Sequence, residues 1–217
     1  PHPARQLNLD RIASSGLDHF DVVGLQEIDA GSMRTSFVNQ ARYLAERAGF
    51  PYWHVQTNRR LGNLARHSNG VLARLRPREV ADYKLPGLPG RGALLARFGR
   101  REHYLALFVV HLALGRRARI RQLDFLAELT SDHRNVVMMG DFNCTIDSPE
   151  MRRLVRNTAL FIPDEELHTF PSWQPLRRID HILVSPSIDV RHAYVPKWLV
   201  SDHLPIAMEV DVPLGMF

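Results

Sequence analysis

The sequence predicts an α/β sandwich, in which two mixed β-sheets pack face to face with helices on the outside. Three observations predict it. Five apolar runs stop abruptly at polar residues, the middle of the chain reads as hairpins, and the helical stretches are kept apart by strand and loop. A strictly alternating strand–helix order would predict one parallel sheet; hairpins require antiparallel pairs and so favour two sheets.

In order, a helix is expected over about residues 8–18, then a strand from Phe20 through Leu25 that runs into Gln26 and Glu27. A second helix is expected from about Ser36 to Gly49, followed by strands near 52–57 and 69–75. The Leu85-Pro86-Gly87-Leu88-Pro89-Gly90 loop separates one strand from the next, over Leu94–Phe98, and Gly99-Arg100-Arg101-Glu102 turns the chain into Tyr104–Val110. After it come a helix at about 116–130, a strand over Asn135–Met139, a helix at about 148–156, a strand at Ile179–Val184 and a last strand from Ile206 to Val210.

The ends of these strands carry the chemistry. Tyr104–Val110 delivers His111, and Asn135–Met139 delivers Gly140-Asp141-Phe142-Asn143. In extended chain, positions i and i+2 share a side, so Asp141 and Asn143 converge on one ligand, although Asp and Asn after a strand also suit a plain turn. Asp180 sits inside an apolar strand, where a carboxylate is costly to bury without a partner. Trp198-Leu199-Val200 leads to Ser201-Asp202-His203-Leu204-Pro205, an acid and an imidazole side by side.

With 217 residues, one domain spanning 1–217 is expected. Hydrophobic residues at 45% and charged residues at 24% place the chain among ordinary globular proteins rather than fibrous or disordered ones. No apolar stretch reaches the ~20 residues of a membrane-spanning helix and no signal-peptide core opens the chain. A cytoplasmic location is expected, with an upstream membrane anchor or signal as the alternative, and a monomer is expected. Cys144 is the single cysteine, which excludes an internal disulfide; it reads as a packing thiol. The net charge of +5 is carried almost wholly by arginine, whose planar fork suits phosphate. The arginines are scattered; the densest group, Arg116-Arg117-Ala118-Arg119-Ile120-Arg121, opens a helix and reads equally as a solvated face or a substrate contact.

Together, Val22-Val23-Gly24-Leu25-Gln26-Glu27, Asn69-Gly70-Val71-Leu72-Ala73-Arg74, Val110-His111-Leu112, Gly140-Asp141-Phe142-Asn143, Ile179-Asp180-His181-Ile182 and Ser201-Asp202-His203-Leu204-Pro205 resemble, in the same order, the motifs of the endonuclease/exonuclease/phosphatase superfamily. Arg91-Gly92-Ala93-Leu94 and Thr169-Phe170-Pro171-Ser172-Trp173 look like a bacterial branch of it without an assigned substrate. The resemblance implies a four-layer α/β sandwich of the DNase I type. It also implies a Mg²⁺- or Mn²⁺-dependent phosphoesterase that attacks a phosphodiester with an activated water.

By the same resemblance, Glu27 is the principal metal ligand and Asp202 a second. Asp141 orients or deprotonates the water, and Asn143 holds a phosphoryl oxygen. His203, paired with Asp202, faces the phosphate; His111 donates to it, and Asp180 orients His111 or supports a second metal. Asn69 contacts the substrate or a metal-bound water, although Ser68 and Gly70 beside it suit a plain turn equally well. His67, His168, His181 and His192 have no matched role and read as surface or packing residues. The family opens with a strand that ends in an Asn, and nothing before Phe20 matches it; a first strand upstream is expected to be missing from residues 1–217, with a degenerate enzyme as the alternative.

The partner is a phosphoester substrate, with DNA and RNA as candidates. A phosphomonoesterase, or a lipid or sugar phosphodiesterase, uses the same site. A non-catalytic anion-binding module is the reading from a different class, and a zinc hydrolase is disfavoured because there is neither a clustered His motif nor a cysteine pair.

Overall fold

The structure, a computed structural model, describes residues 3–61, 65–163, 166–213 and 215–216. In order the elements are α1 (Pro3–Ala13), β1 (Val22–Asp29), α2 (Gln40–Ala48), β2 (Tyr52–Leu61), β3 (Ala65–Ala73), β4 (Glu79–Lys84), β5 (Gly92–Gly99), β6 (Tyr104–His111), α3 (Arg116–Thr130), β7 (Val136–Asp141), α4 (Pro149–Asn157), β8 (Asp180–Val184), β9 (Asp189–Tyr194) and β10 (Ala207–Asp211). Three sheets form, in the orders β1-β3-β2, β4-β5-β6-β7-β8 and β10-β9. The five-stranded sheet is mixed: β6 and β7 run parallel, joined over α3, and its other neighbours are antiparallel.

Four layers result. Leu9 of α1 and Leu44, Ala45 and Ala48 of α2 pack on Ile28 and Leu72, on the outer face of the three-stranded sheet. Between the sheets lie Val71, Leu94, Phe98, Leu107, Val109, Val137 and Ile182, with Met208 and Val210 of β10 against them. On the far side, Ala93, Leu95, Phe108, Val110 and Met138 meet Leu123 and Leu126 of α3 and Met151 and Leu154 of α4. β5 and β6 are thus covered on both faces, which is why Ala93–Ala96 and Leu105–Val110 are apolar at every position instead of alternating. Gly24 permits close approach of the sheets: a Cβ there would lie 2.9 Å from Met139 Sδ.

Two helices differ from the sequence expectation. The first ends at Ala13 rather than near 18, because Ser15 Oγ turns back to Ile12 O and Gly16 takes φ 100°, after which only a 3₁₀ turn forms at Leu17–His19. The second starts at Gln40 rather than Ser36. Ser36 and Phe37 have φ of 53° and 63°, outside the helical range, and Asn39 caps the helix by accepting from Arg42 N at 3.1 Å. The strands near 52–57 and 69–75 are longer or shifted, as β2 and β3. β9 was not expected: four of its six residues are exposed, so no apolar run marks it.

Candidate active site

Register sets the site. His111 pairs with Asp141 across β6 and β7, and Asp141 pairs with Asp180 across β7 and β8, so three strands present consecutive polar residues in one row at one edge of the five-stranded sheet. Gly92 continues the row opposite His111; a Cβ there would come within 2.4 Å of Gln56 Oε1. Gly140 lets β7 approach β6 closely, with φ 146° and a hypothetical Cβ 1.9 Å from Val110 O.

Glu27 reaches the row from the other sheet. The β1–β3 register shifts between Leu25 and Ile28, and Glu27 takes φ 54° in this bulge, an unfavourable conformation for a residue with a Cβ. Its carboxylate is exposed, 3.8 Å from His111 Nε2, which is also 3.5 Å from Asp141 Oδ2.

Asp141 is clamped by its neighbour: Asn143 N donates to Oδ1 at 2.8 Å and Asn143 Nδ2 to Oδ2 at 3.1 Å, with Asn143 at φ 53°. Nδ2 also donates to Leu112 O at 2.9 Å. The resemblance had aimed this amide at a phosphoryl oxygen; the structure turns it onto protein acceptors, where it orients Asp141.

The expected His203–Asp202 pair is replaced. His203 Nδ1 donates to Asp180 Oδ2 at 2.8 Å, and Thr169 Oγ1 donates to the same oxygen. Asp180 therefore serves His203 rather than His111. Asp202 is exposed and accepts from Ser201 Oγ at 3.0 Å. The segment carrying both is fastened to the loop before β8 by Ser172 N to Asp202 O, Ser172 Oγ to Ser201 O and Leu204 N to Thr169 O. Phe170 packs on the imidazole, 4.7 Å between ring centroids.

Burial, strengthened by the neighbouring Asp180 charge, raises Asp141 to about 6 against the Asn143 amide and the positive charge of His203 and Arg91. His111 falls to about 3, chiefly through burial, with Arg91, His203 and His67 adding repulsion. For His203 burial acts downward but is outweighed by the hydrogen bond and charge of Asp180, with Asp141 and Asp202 adding, so its pKa is raised. At neutral pH His111 is neutral and Asp141 ionised.

This donor set fits a hard divalent cation. Ligating atoms of Asp141, Asp180 and His203 lie within 4.8 Å of one another, and a cation there would offset both the burial that chiefly raises Asp141 and the neighbouring Asp180 charge that adds to it. The grouping is centred differently from the Glu27 and Asp202 pair that the resemblance implies, and His203 within it is already engaged with Asp180.

Asn69 stands apart from the solvent. It is completely buried; Nδ2 donates to Gly92 O at 3.0 Å and Gln56 Oε1 at 3.3 Å, and Oδ1 has no partner among the described residues. Its place is behind the row, holding Gly92. Arg91 had no role in the sequence reading: Nε donates to Leu112 O at 2.8 Å, the carbonyl that Asn143 also uses, and its charge acts on His111 and Asp141. No local pattern marks it: Arg91 precedes Gly92, and only the fold shows that Gly92 is the partner of His111.

Other residues are structural. Arg119 donates to Glu150 Oε1 at 3.1 and 2.8 Å and to two loop carbonyls, tying α3 to α4 rather than facing a substrate. His181 is buried, 2.8 Å from Cys144 O and stacked edge-on to Phe142. Burial raises the Cys144 thiol to about 11, which suits packing and not nucleophilic attack. No helix among the described residues is long and apolar enough to cross a membrane.

A solved endonuclease/exonuclease/phosphatase from Beutenbergia cavernae is 20% identical to the chain, with TM-score 0.77 over 95% of this chain and 67% of that one. A family protein from Leptotrichia buccalis is 16% identical, with TM-score 0.78 over 97% and 95%. The mannosyl-6-phosphatase Bt3783 of Bacteroides thetaiotaomicron is 20% identical, with TM-score 0.73 over 95% and 91%. TDP2 of D. rerio, solved with a single-stranded DNA product, is 19% identical, with TM-score 0.71 over 96% and 95%. These likenesses establish the DNase I-like α/β fold. A search of the curated proteins finds no match. The sequence profile of the Endonuclease/Exonuclease/phosphatase family spans residues 3–203, taking in every strand end that builds the row, and by that match the chain belongs to this family of phosphate-ester hydrolases.

Proposed function

We propose that the protein is a Mg²⁺- or Mn²⁺-dependent phosphodiesterase that hydrolyses its substrate with an activated water and no covalent intermediate. The observation that carries this reading is the convergence of Glu27, His111, Asp141, Asp180 and His203 from two sheets on one rim.

Asp141 accepts the water proton, held in aim by the two Asn143 donors. The water oxygen forms the new P–O bond as the bond to the leaving oxygen breaks. Neutral His111 donates an N–H to a phosphoryl oxygen. His203, whose pKa the Asp180 hydrogen bond and charge raise against the effect of burial, faces the developing negative charge. Arg91 sits beside them as a fixed cation. Glu27, with Asp202, would hold the divalent ion, which would neutralise charge on the phosphoryl oxygens.

Nicking of supercoiled DNA in Mg²⁺, compared with hydrolysis of 4-nitrophenyl phosphate, tests the reading. It expects diester cleavage that EDTA and His203→Ala both abolish. Cleavage of the monoester alone replaces it with a phosphomonoesterase; salt-sensitive DNA binding without turnover replaces it with a binding module.

A further inference from the structure

Gln122 of α3 ties together two loops beside the site row, the one that follows His111 and the one that leads into its register partner Gly92. Gln122 is buried; its Oε1 accepts from Ala113 N at 2.9 Å and its Nε2 donates to Pro86 O at 3.1 Å. Arg91 Nε adds a tie to Leu112 O, and Arg119 donates to Leu114 O. Both loops are held from behind, yet each presents a leucine to water. Leu88, 85% exposed, and Leu114, 76% exposed, are the two most exposed large hydrophobic residues among those described, whereas Leu85 in the same loop is buried. Trp173 and Leu176, 72% and 68% exposed, continue the pattern on the loop before Asp180. Gly92, His111, Asp141 and Asp180 lie on consecutive strands. Neighbouring strands are about 4.8 Å apart, so the three loops leave the sheet within about 15 Å of one another.

The charge around these tips has one sign. Residues 84–91 and 112–121 hold Lys84, Arg91, Arg116, Arg117, Arg119 and Arg121 and no Asp or Glu, and Arg177 and Arg178 follow Leu176. Arg119 is taken up by Glu150, but Lys84, Arg117 and Arg121 are exposed. We infer that this leucine-tipped, arginine-collared face docks the protein on an anionic phospholipid bilayer, with Leu88 and Leu114 entering the boundary between headgroups and acyl chains.

Binding to a bilayer surface grows with the apolar area that enters the interface and with the attraction of basic residues to anionic headgroups, and this face supplies both. Leucine has no π face for a nucleobase to stack on, which disfavours a nucleic-acid strand as the occupant. A protein interface has a contiguous apolar centre depleted of charge, whereas here single apolar tips stand on separate loops among arginines. Trp173, with an apolar ring and one N–H, suits the level of the headgroups. Docked this way, the protein turns the end of the sheet that carries the row toward the headgroup layer. The docking face stands on exposure and charge, whether or not the row hydrolyses phosphodiesters.

Sedimentation with vesicles tests the inference, using phosphatidylcholine alone and phosphatidylcholine mixed with phosphatidylglycerol. The protein should bind the mixed vesicles saturably and at least about 10-fold more tightly than the neutral ones, and salt should weaken this binding. Leu88→Ser combined with Leu114→Ser should weaken it by about 10-fold or more, with thermal unfolding unchanged because both side chains are exposed in the native protein. Arg117→Gln combined with Arg121→Gln should weaken it by about 10-fold and flatten its salt dependence. Leu88→Trp, which keeps an apolar tip, should show quenching by brominated acyl chains beyond that of the native protein. Failure of the native protein to sediment with the mixed vesicles overturns the inference. So does an unquenched Leu88→Trp, or binding that the leucine pair leaves intact, which reduces the contact to charge alone. Binding of a single-stranded oligonucleotide that the leucine pair weakens, and that mixed vesicles do not displace, assigns the face to nucleic acid instead. None of these readouts uses turnover, so the docking face and the phosphodiesterase reading fail separately.

Discussion

His203 and Asp180, 23 positions apart in sequence, share a 2.8 Å hydrogen bond from Nδ1 to Oδ2, and the same carboxylate oxygen accepts from Thr169. A buried carboxylate within an apolar strand is thereby satisfied, and an imidazole on a loop is held at the end of the His111–Asp141–Asp180 row. Removing the charge should act through the imidazole. Asp180→Asn is expected to lower kcat by about 100-fold and to move the alkaline limb of the pH–rate profile to lower pH, since the raised pKa of His203 depends on Asp180. Loss of activity with an unmoved alkaline limb would contradict the pairing.

Glu27 is exposed and strained at φ 54° while lying 3.8 Å from His111, a geometry that suits a ligand to a partly hydrated cation. Glu27→Gln should raise the Mg²⁺ concentration for half-maximal activity by about 10-fold or more, with thermal stability unchanged in the absence of metal. Metal titration of both proteins decides it.

Arg91 shares the Leu112 carbonyl with Asn143. Arg91→Met should cost about 10- to 100-fold in kcat/KM by loosening the aim of Asp141 and removing a cation from the rim. Arg91→Lys keeps the charge without the planar fork and should recover only part of the loss, chiefly in KM. Full recovery by lysine would mean that charge alone matters.

Two buried groups in direct proximity oppose each other in acid. His111 has a folded-state pKa of about 3, below its ordinary 6.5, so unfolding takes up a proton between those values and this term of stability is lost as pH falls through the window. Asp141 is raised from 3.8 to about 6, so the folded state holds the extra proton there and its term is lost as pH rises. Asp141→Asn removes the second term. In EDTA, the stability of the variant relative to the native protein should therefore rise between pH 3.8 and 6, with a slope of at most about 1.4 kcal/mol per pH unit. Denaturant unfolding of both proteins across that range measures it; a flat difference would mean that Asp141 titrates normally.

Gly140 has no room for a side chain: a Cβ would meet Val110 O at 1.9 Å, and the contact is with backbone. Gly140→Ala should destabilise the fold by about 3 kcal/mol or more and displace Asp141 from His111. Thermal unfolding and activity should fall together.

The strand ends were legible because each polar residue interrupts an apolar run: His111 after Tyr104–Val110, Asp141 after Val136–Met139, Asp180 within its strand. Which strands lie side by side was not, because register is a matter of pairing rather than of local pattern; the row of three appears only in the fold. For the same reason Asp202, adjacent to His203 in sequence, was read as its partner, whereas the fold brings Asp180 within 2.8 Å of His203 Nδ1. Asn69 was read as a substrate contact from its motif, but only packing reveals that it is sealed behind Gly92. The first helix was misplaced because the apolar periodicity hid the Ser14-Ser15-Gly16 stop.

The most direct measurement is hydrolysis of bis(4-nitrophenyl) phosphate with Mg²⁺ by the native protein, Glu27→Gln and His203→Ala, each with and without EDTA. The account predicts metal-dependent release of 4-nitrophenol by the native protein, reduced at least about 100-fold in His203→Ala and displaced to higher Mg²⁺ in Glu27→Gln. Turnover that survives EDTA, or that His203→Ala leaves intact, would contradict a metal-assisted phosphoesterase centred on this row.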